Sequence, residues 1–191
     1  MITAILMASG FSRRFQTDKL MLDFHGKPVL SQMMETISLC PFSKKLLITQ
    51  LNHHAGLAKD YGFVPFINTQ ASTGQTASIQ LGVIHATPTS DYMFFVGDQP
   101  CLTSEVINLL IAEHELHPDA IIVPTVNGNY QNPVIFPARF RNELLALTGD
   151  TGGKTIIAAH LDCVCTVAFP DSLPFTDMDT PDEYQWLLSK Q

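Results

Sequence analysis

A chain of 191 residues with 46% hydrophobic and 15% charged content is long enough to close one well-formed core and short for two. Eleven basic residues against 18 acidic ones give a net charge of −7, and no basic run exceeds a pair such as Arg13-Arg14 or Lys44-Lys45, which argues against generic binding to nucleic acid or an anionic membrane. No stretch reaches the roughly 18 uninterrupted apolar residues of a membrane span, and no basic region precedes an apolar one at the N-terminus, so a cytoplasmic location is expected.

Apolar runs alternate with longer amphipathic segments, which predicts an α/β fold whose mostly parallel sheet is covered by helices on both faces. No repeat, low-complexity segment or Pro/Gly-rich linker divides the sequence, so residues 1–191 read as a single domain. The first predicted strand, Thr3 to Met7, breaks into Ser9-Gly10-Phe11-Ser12-Arg13-Arg14, and the chain reaches Lys19 before Gly26-Lys27-Pro28. A buried strand ending in such a turn directs backbone N–H groups outward, and Gly10 permits positive φ or close ligand approach. With cations following at once, phosphate is the first ligand expected. The spacing is neither GxGxxG nor GxxxxGK[ST].

A helix over Val29 to Leu39, a strand over Lys45 to Thr49, a helix over His54 to Tyr61 and a strand over Phe63 to Phe66 follow. The next helix, Gln75 to His85, opens beside Gly74 and carries Ser78; its N-terminal N–H groups and hydroxyls either face a nucleotide or form an ordinary cap. The strand Tyr92 to Val96 is almost wholly apolar and ends in Gly97-Asp98-Gln99-Pro100. Asp98 thus lies at a carboxyl end, where open α/β sheets bind ligands, and shares that crevice with the Ser9 to Lys19 loop. An acidic side chain there can hold Mg²⁺ beside a triphosphate. Thr103 and Ser104 already offer a cap to the helix Ser104 to His114, which weakens a capping role for Asp98.

Strands over Ala120 to Val123 and Val134 to Phe136 flank Asn127-Gly128-Asn129, which predicts a hairpin turn projecting above the sheet. Helices over Arg139 to Leu147 and Gly152 to Ala159, a strand over Cys163 to Val167 and a helix over Pro181 to Ser189 complete the chain, the last capped by Thr180. The four cysteines form no CxxC pair, and Cys163 and Cys165 fall on one face of their strand; all four read as buried free thiols without a metal or redox role. The seven histidines, His53-His54 included, lack HExxH or HxH spacing and read as surface or core residues.

Residues 7–19 resemble the LAAGxSxRMGxxK signature of nucleotidyltransferases that make nucleotide-diphospho-sugars and molybdenum-cofactor dinucleotides. Gly10, Ser12, Arg14 and Lys19 match in register, whereas Met7, Ser9, Phe15 and Gln16 depart, Gln16 replacing a glycine that lets the loop fold tightly. Asp98 stands in GDQP followed by Cys101-Leu102-Thr103, the form seen in enzymes similar to molybdenum cofactor cytidylyltransferase. Gly74 to Gly82, Pro124-Thr125 with Gly128 and Asn132-Pro133, Gly149 to Lys154, and Asp177-Met178-Asp179-Thr180-Pro181 extend the resemblance in family order.

The resemblance implies a Rossmann-like nucleotide-diphospho-sugar transferase fold and Mg²⁺-dependent transfer of CMP from CTP to the phosphate of a molybdopterin-type acceptor, releasing pyrophosphate. Ala8, Ser9, Gly10 and Ser12 would cradle the triphosphate, Arg14 and Lys19 neutralise its charge, and Asp98 with Asp179 hold the metal, Asp177 being a substitute. Gly74 and Ser78 would face base or ribose; Asn132 and Lys154 belong to the acceptor side. There Tyr130, Gln131 and Lys154 depart from the family pattern, and lysine lacks the bidentate fork of arginine. As a loop side chain, Lys19 is expected to be exposed and to contribute little to folding. Guanylyl or sugar-phosphate transfer is the alternative within enzymes. Outside them stands an accessory that delivers the cofactor to a molybdenum hydroxylase; the retained Lys19, Asp98 and Asp179 argue against it.

Overall fold

The computed structural model describes residues 1–10, 14, 15 and 17–190. Strand β1 (Ile2–Ala8) is followed by a small hairpin, β2 (Asp23–Phe24) and β3 (Lys27–Pro28), then α1 (Val29–Ser38), β4 (Lys44–Thr49), α2 (Asn52–Ala58) and β5 (Val64–Ile67). Next come α3 (Gln75–His85), β6 (Asp91–Val96), α4 (Ser104–Leu116), β7 (Ile121–Val126), β8 (Asn129–Tyr130) and β9 (Val134–Phe136). The chain ends with α5 (Arg141–Ala146), α6 (Lys154–Ala159), β10 (Val164–Phe169) and α7 (Pro181–Leu188).

The main sheet runs β10-β7-β9-β6-β1-β4-β5, with β8 paired to β7. Strand β1 is parallel to β4 and β6, as β4 is to β5 and β7 to β10; β9 is antiparallel to both of its neighbours. The predicted α/β class with a mostly parallel sheet is therefore what this chain forms. The period-2 alternation of a buried strand sorts its side chains between two cores. Ile2, Ala4, Leu6 and Ala8 face one core with α1 and α4, while Ile5 and Met7 face the other with α3, α5 and α6. Helix α3 lies so close to β1 that a Cβ on Gly82 would stand 2.5 Å from Ile5 Cγ2.

Elements appear near their expected places, with local differences. The segment Ala138–Phe140 is a 3-10 turn, so α5 begins at Arg141; the first helix after β4 begins at Asn52 and ends in a 3-10 turn closed by Gly62. The predicted hairpin joins β7 to β8, with Asn127 (φ 50°) and Gly128 (φ 78°) both left-handed as a type I′ turn requires. The β2–β3 hairpin has strands of two residues, too short for periodicity to reveal. One expectation fails: Cys40 and Cys101 are buried, but Cys163 and Cys165 are only half-buried. Cys163 ends a 3-10 turn and Cys165 sits in β10, whose partly exposed side chains mark it as the edge strand.

Candidate active site

In the β1/β6 register Met7 stands opposite Val96, so the chain leaves both strands at the same level, at the point where the strand order turns in opposite directions. Gly97 N–H donates to the Met7 carbonyl (3.0 Å), and a Cβ on Gly97 would stand 3.2 Å from that oxygen and 3.3 Å from Leu20 Cδ1. This close packing brings Lys19, in a short 3-10 turn capped by Asp18, beside Asp98.

Lys19 Nζ donates to Asp98 Oδ2 at 2.6 Å, to Asp179 Oδ1 at 3.0 Å and to the Met178 carbonyl at 2.9 Å. Arg14 Nη1 reaches Asp179 Oδ2 at 3.4 Å from the solvent side. Lys19 is 8% exposed, contrary to the expectation of an exposed loop lysine, because the Asp98 turn and the 177–179 segment close over it. Burial alone would pull its ammonium below the ordinary value; Asp98 and Asp179 outweigh that and hold it above.

The 177–179 segment is pinned by the Met178 N–H, which donates to the Asp98 carbonyl (2.8 Å). Being extended, it sends Met178 into the core and the two flanking carboxylates the other way. Asp177 takes a different partner from Asp179: its Oδ1 accepts from Gln99 Nε2 at 2.9 Å. Burial, then the neighbouring Asp98 charge, pushes the Asp177 carboxyl up to about 6. The cap of α4 is Thr103, whose hydroxyl accepts from Val106 N–H, so Asp98 is not used there.

Two cavities meet at Asp98. The smaller, about 280 Å³, is lined by Ala8, Ser9, Gly10, Gly74, Ser78 and Asp150. The larger cleft, about 810 Å³, is lined by Gln99, Tyr130, Asn132, Lys154 and Asp177 among others, and Asp98 borders both. Ser9 Oγ donates to the Ile48 carbonyl and Ser78 Oγ accepts from Asn68 Nδ2, so these two hydroxyls are already partnered. Ser12 lies outside the described residues, as do Phe11, Arg13 and Gln16.

The residue patterns drew attention to the glycine of Gly74 and not to its reason. Its φ is +99°, and a Cβ there would stand 2.0 Å from Asp150 Oδ1, which accepts from Gln75 N–H (2.7 Å) at the start of α3. Asp150 and Gln99 are site residues that sequence reasoning passed over. Their signal lay in Gly149-Asp150 and in GDQP, but their partners are 75 and 78 residues away.

Lys19, Arg14 and the Asp98–Asp179 carboxylates thus gather at the carboxyl ends of the central strands, where open α/β sheets bind ligands. A match to the MobA-like NTP transferase domain spans residues 4–164, and the chain belongs to that family, within the nucleotide-diphospho-sugar transferase superfamily; it is a nucleotidyltransferase. Among its relatives, the purine catabolism protein PucB of Bacillus subtilis is 26% identical over 196 residues, 96% of this chain and 94% of the relative. A probable molybdenum cofactor guanylyltransferase of Pyrococcus horikoshii is 24% identical over 149 residues, 78% of this chain and 74% of the relative. The fold is shared with Rv0371c of Mycobacterium tuberculosis, at a TM-score of 0.84 and 22% identity over 99% of this chain and 98% of that one. Rv0371c has also been solved as a complex with manganese, with a TM-score of 0.78 and 21% identity over 100% of this chain and 99% of that one.

Proposed function

We propose that this protein transfers CMP from CTP to the phosphate of a molybdopterin-type acceptor, all 191 residues serving as one catalytic unit. The observation that carries the reading is the Lys19–Asp98–Asp179 cluster, whose Asp98 borders both cavities. The smaller cavity suits the nucleotide and the larger cleft the acceptor, so the reacting phosphates meet at Asp98. An acceptor phosphate oxygen attacks the α-phosphorus in line, its new P–O bond forming as the bond to the β-phosphate breaks and pyrophosphate takes the electron pair. Such a transfer needs no covalent enzyme intermediate, only positioning and charge neutralisation. Lys19 and Arg14 supply the neutralising charge, and Asn132 and Lys154 face the acceptor.

The donors of Asp98 and Asp179 are hard carboxylate oxygens, the ligand type that Mg²⁺ takes, so these residues fit a hard divalent cation. Asp98 and Asp179 would hold that ion, which when bound neutralises charge on the phosphates.

For CTP speaks the GDQP sequence that follows β6. GTP is the second reading, favoured by the guanylyltransferase name of the Pyrococcus horikoshii relative. That name also supports the molybdenum cofactor as acceptor, and a molybdenum hydroxylase is the expected recipient of the product. Among the described residues no helix is long and apolar enough to cross a membrane; we place the reaction in the cytoplasm.

The test is pyrophosphate release with Mg²⁺ and a molybdopterin-type acceptor, presenting CTP, GTP, ATP and UTP separately, each against an acceptor-free control. Acceptor-dependent release with CTP alone is the expected result. Release with GTP alone replaces the base and keeps the mechanism, whereas cofactor binding without release with any nucleotide moves the protein to the accessory class.

A further inference from the structure

The His53-His54 pair, unremarkable by spacing, meets Asp18 at the foot of the signature segment. Asp18 Oδ2 receives His53 Nε2 at 2.8 Å and His54 Nε2 at 2.6 Å. One potential ligand atom from each residue lies within 4.8 Å of the other two. We propose that Asp18, His53 and His54 bind a divalent first-row transition metal, at a site separate from the Asp98–Asp179 carboxylates.

The donor set points to that class of ion. Two imidazoles and one carboxylate suit zinc, iron, cobalt or nickel better than magnesium or calcium, which take oxygen ligands. The ligands are also held in place before any ion arrives. The other oxygen of Asp18 accepts from Leu20 N–H (3.2 Å), which fixes the carboxylate and leaves Oδ2 to the histidines. His54 is 1% exposed, and its Nδ1 lies 2.9 Å from Thr49 Oγ1, which in turn accepts from Leu51 N–H. That hydroxyl can donate to Nδ1 or accept from it, so His54 can present a proton-free Nε2 while keeping its buried partner. Such outer hydrogen bonds set the tautomer and orientation of metal-binding histidines.

His53 packs edge-on against His54, with ring centroids 4.6 Å apart, and its side chain is 53% exposed. The site is therefore open to solvent on one side, which gives an entry path and room for water in the remaining coordination positions. Tetrahedral zinc with bonds near 2.0–2.1 Å spaces its ligands roughly 3.3 Å apart. The contacts of 2.8 and 2.6 Å to Asp18 Oδ2 must each open by roughly half an ångström or a little more: exposed His53 can swing outward to open the first, and a small turn of the Asp18 carboxylate away from buried His54 opens the second. Because Asp18 precedes Lys19, a bound ion clasps the end of the signature segment to the start of α2.

The experiment is Zn²⁺ titration by calorimetry on the full chain stripped with EDTA, paralleled by Co²⁺ absorption in the visible, where nitrogen and carboxylate ligation shows as d–d bands. Wild type is expected to bind one Zn²⁺ per chain at this site, and His53→Ala to bind at least about tenfold more weakly with loss of the Co²⁺ bands. His53 is exposed, so that variant keeps the fold where a change at buried His54 threatens it. Asp98→Asn and His117→Ala, the latter removing one member of a second grouping with Glu113 and Cys165, are expected to retain the ion. The proposal is overturned if wild type takes up no Zn²⁺, if His53→Ala binds as tightly as wild type, or if the ion is lost with Asp98→Asn or His117→Ala instead.

Discussion

In the proposed mechanism Lys19 joins catalysis and stability in one side chain. Because its ammonium is buried between Asp98 and Asp179, Lys19→Met leaves two carboxylates and the Met178 carbonyl without their shared donor. Removing one partner of a buried pair costs about 3–5 kcal/mol. Asp179 is half exposed and partly solvated, so a loss of roughly 2–4 kcal/mol is expected on urea denaturation. Turnover should fall about 10²–10³-fold or more, as when a preorganised charge-stabilising donor is removed. A Lys19→Met protein as stable as wild type contradicts the buried ion pair; one with normal turnover removes Lys19 from the chemistry. The order of the signature residues was enough to single out Lys19. Its burial was not legible, because the carboxylates that close over it come from 79 and 160 residues further along the chain. Gly74 gives a parallel case. Gly74→Ala meets both a left-handed φ and the Asp150 carboxylate, so a destabilisation of roughly 3 kcal/mol is expected from strain plus overpacking. In an Asp150→Gly background the clash is gone and only the backbone strain remains, so denaturation should show the penalty roughly halved.

At the scale of elements, α7 works as the holder of Asp179. Thr180 and Glu183 form a capping box, and Glu183 Oε2 accepts from Thr180 N–H (2.8 Å) and from Asp179 N–H (2.9 Å). The cap therefore fixes the backbone that aims Asp179 at Lys19. Glu183→Ala is expected to cost about 1 kcal/mol as a lost cap. It should also raise the divalent-ion concentration needed for half-maximal activity while leaving the saturated rate closer to wild type. An unchanged metal requirement in that variant would separate α7 from the site. The cap itself was readable in Thr180-Pro181-Asp182-Glu183, since capping is local chemistry. The direction of β9 was not: Val134, Ile135 and Phe136 are all buried, and a wholly buried run carries no mark of whether it runs with its neighbours or against them. The β2–β3 hairpin escaped for the opposite reason, having too few residues to show a period, although His25-Gly26 supplied its turn.

For the whole molecule, alternation of apolar runs with amphipathic helices settled the α/β class, because each layer must bury its own face. Strand order and the meeting of Asp98 with Lys19 depend on long-range pairing that no local pattern encodes. Asp91 is one of the residues that secures that pairing. At the start of β6, it accepts from His114 Nε2 on α4 (3.1 Å) and from Ala138 N–H after β9 (2.9 Å), tying both layers to the sheet. Burial pushes its carboxyl up, but the hydrogen bonds from His114 and Ala138 prevail and hold it below the usual value of 3.8. The folded protein thus holds this proton less tightly than the unfolded chain, so stability rises with pH wherever the unfolded chain alone is protonated. The contribution is present above the ordinary carboxylate range and is lost as pH falls through the lowered folded value. Asp91→Asn should therefore melt below wild type at pH 7, and the gap should narrow as pH falls below about 4. Melting both proteins across that range checks the sign: a gap that stays constant to the lowest pH at which both still fold would show that Asp91 stabilises by its hydrogen bonds alone and not by its charge.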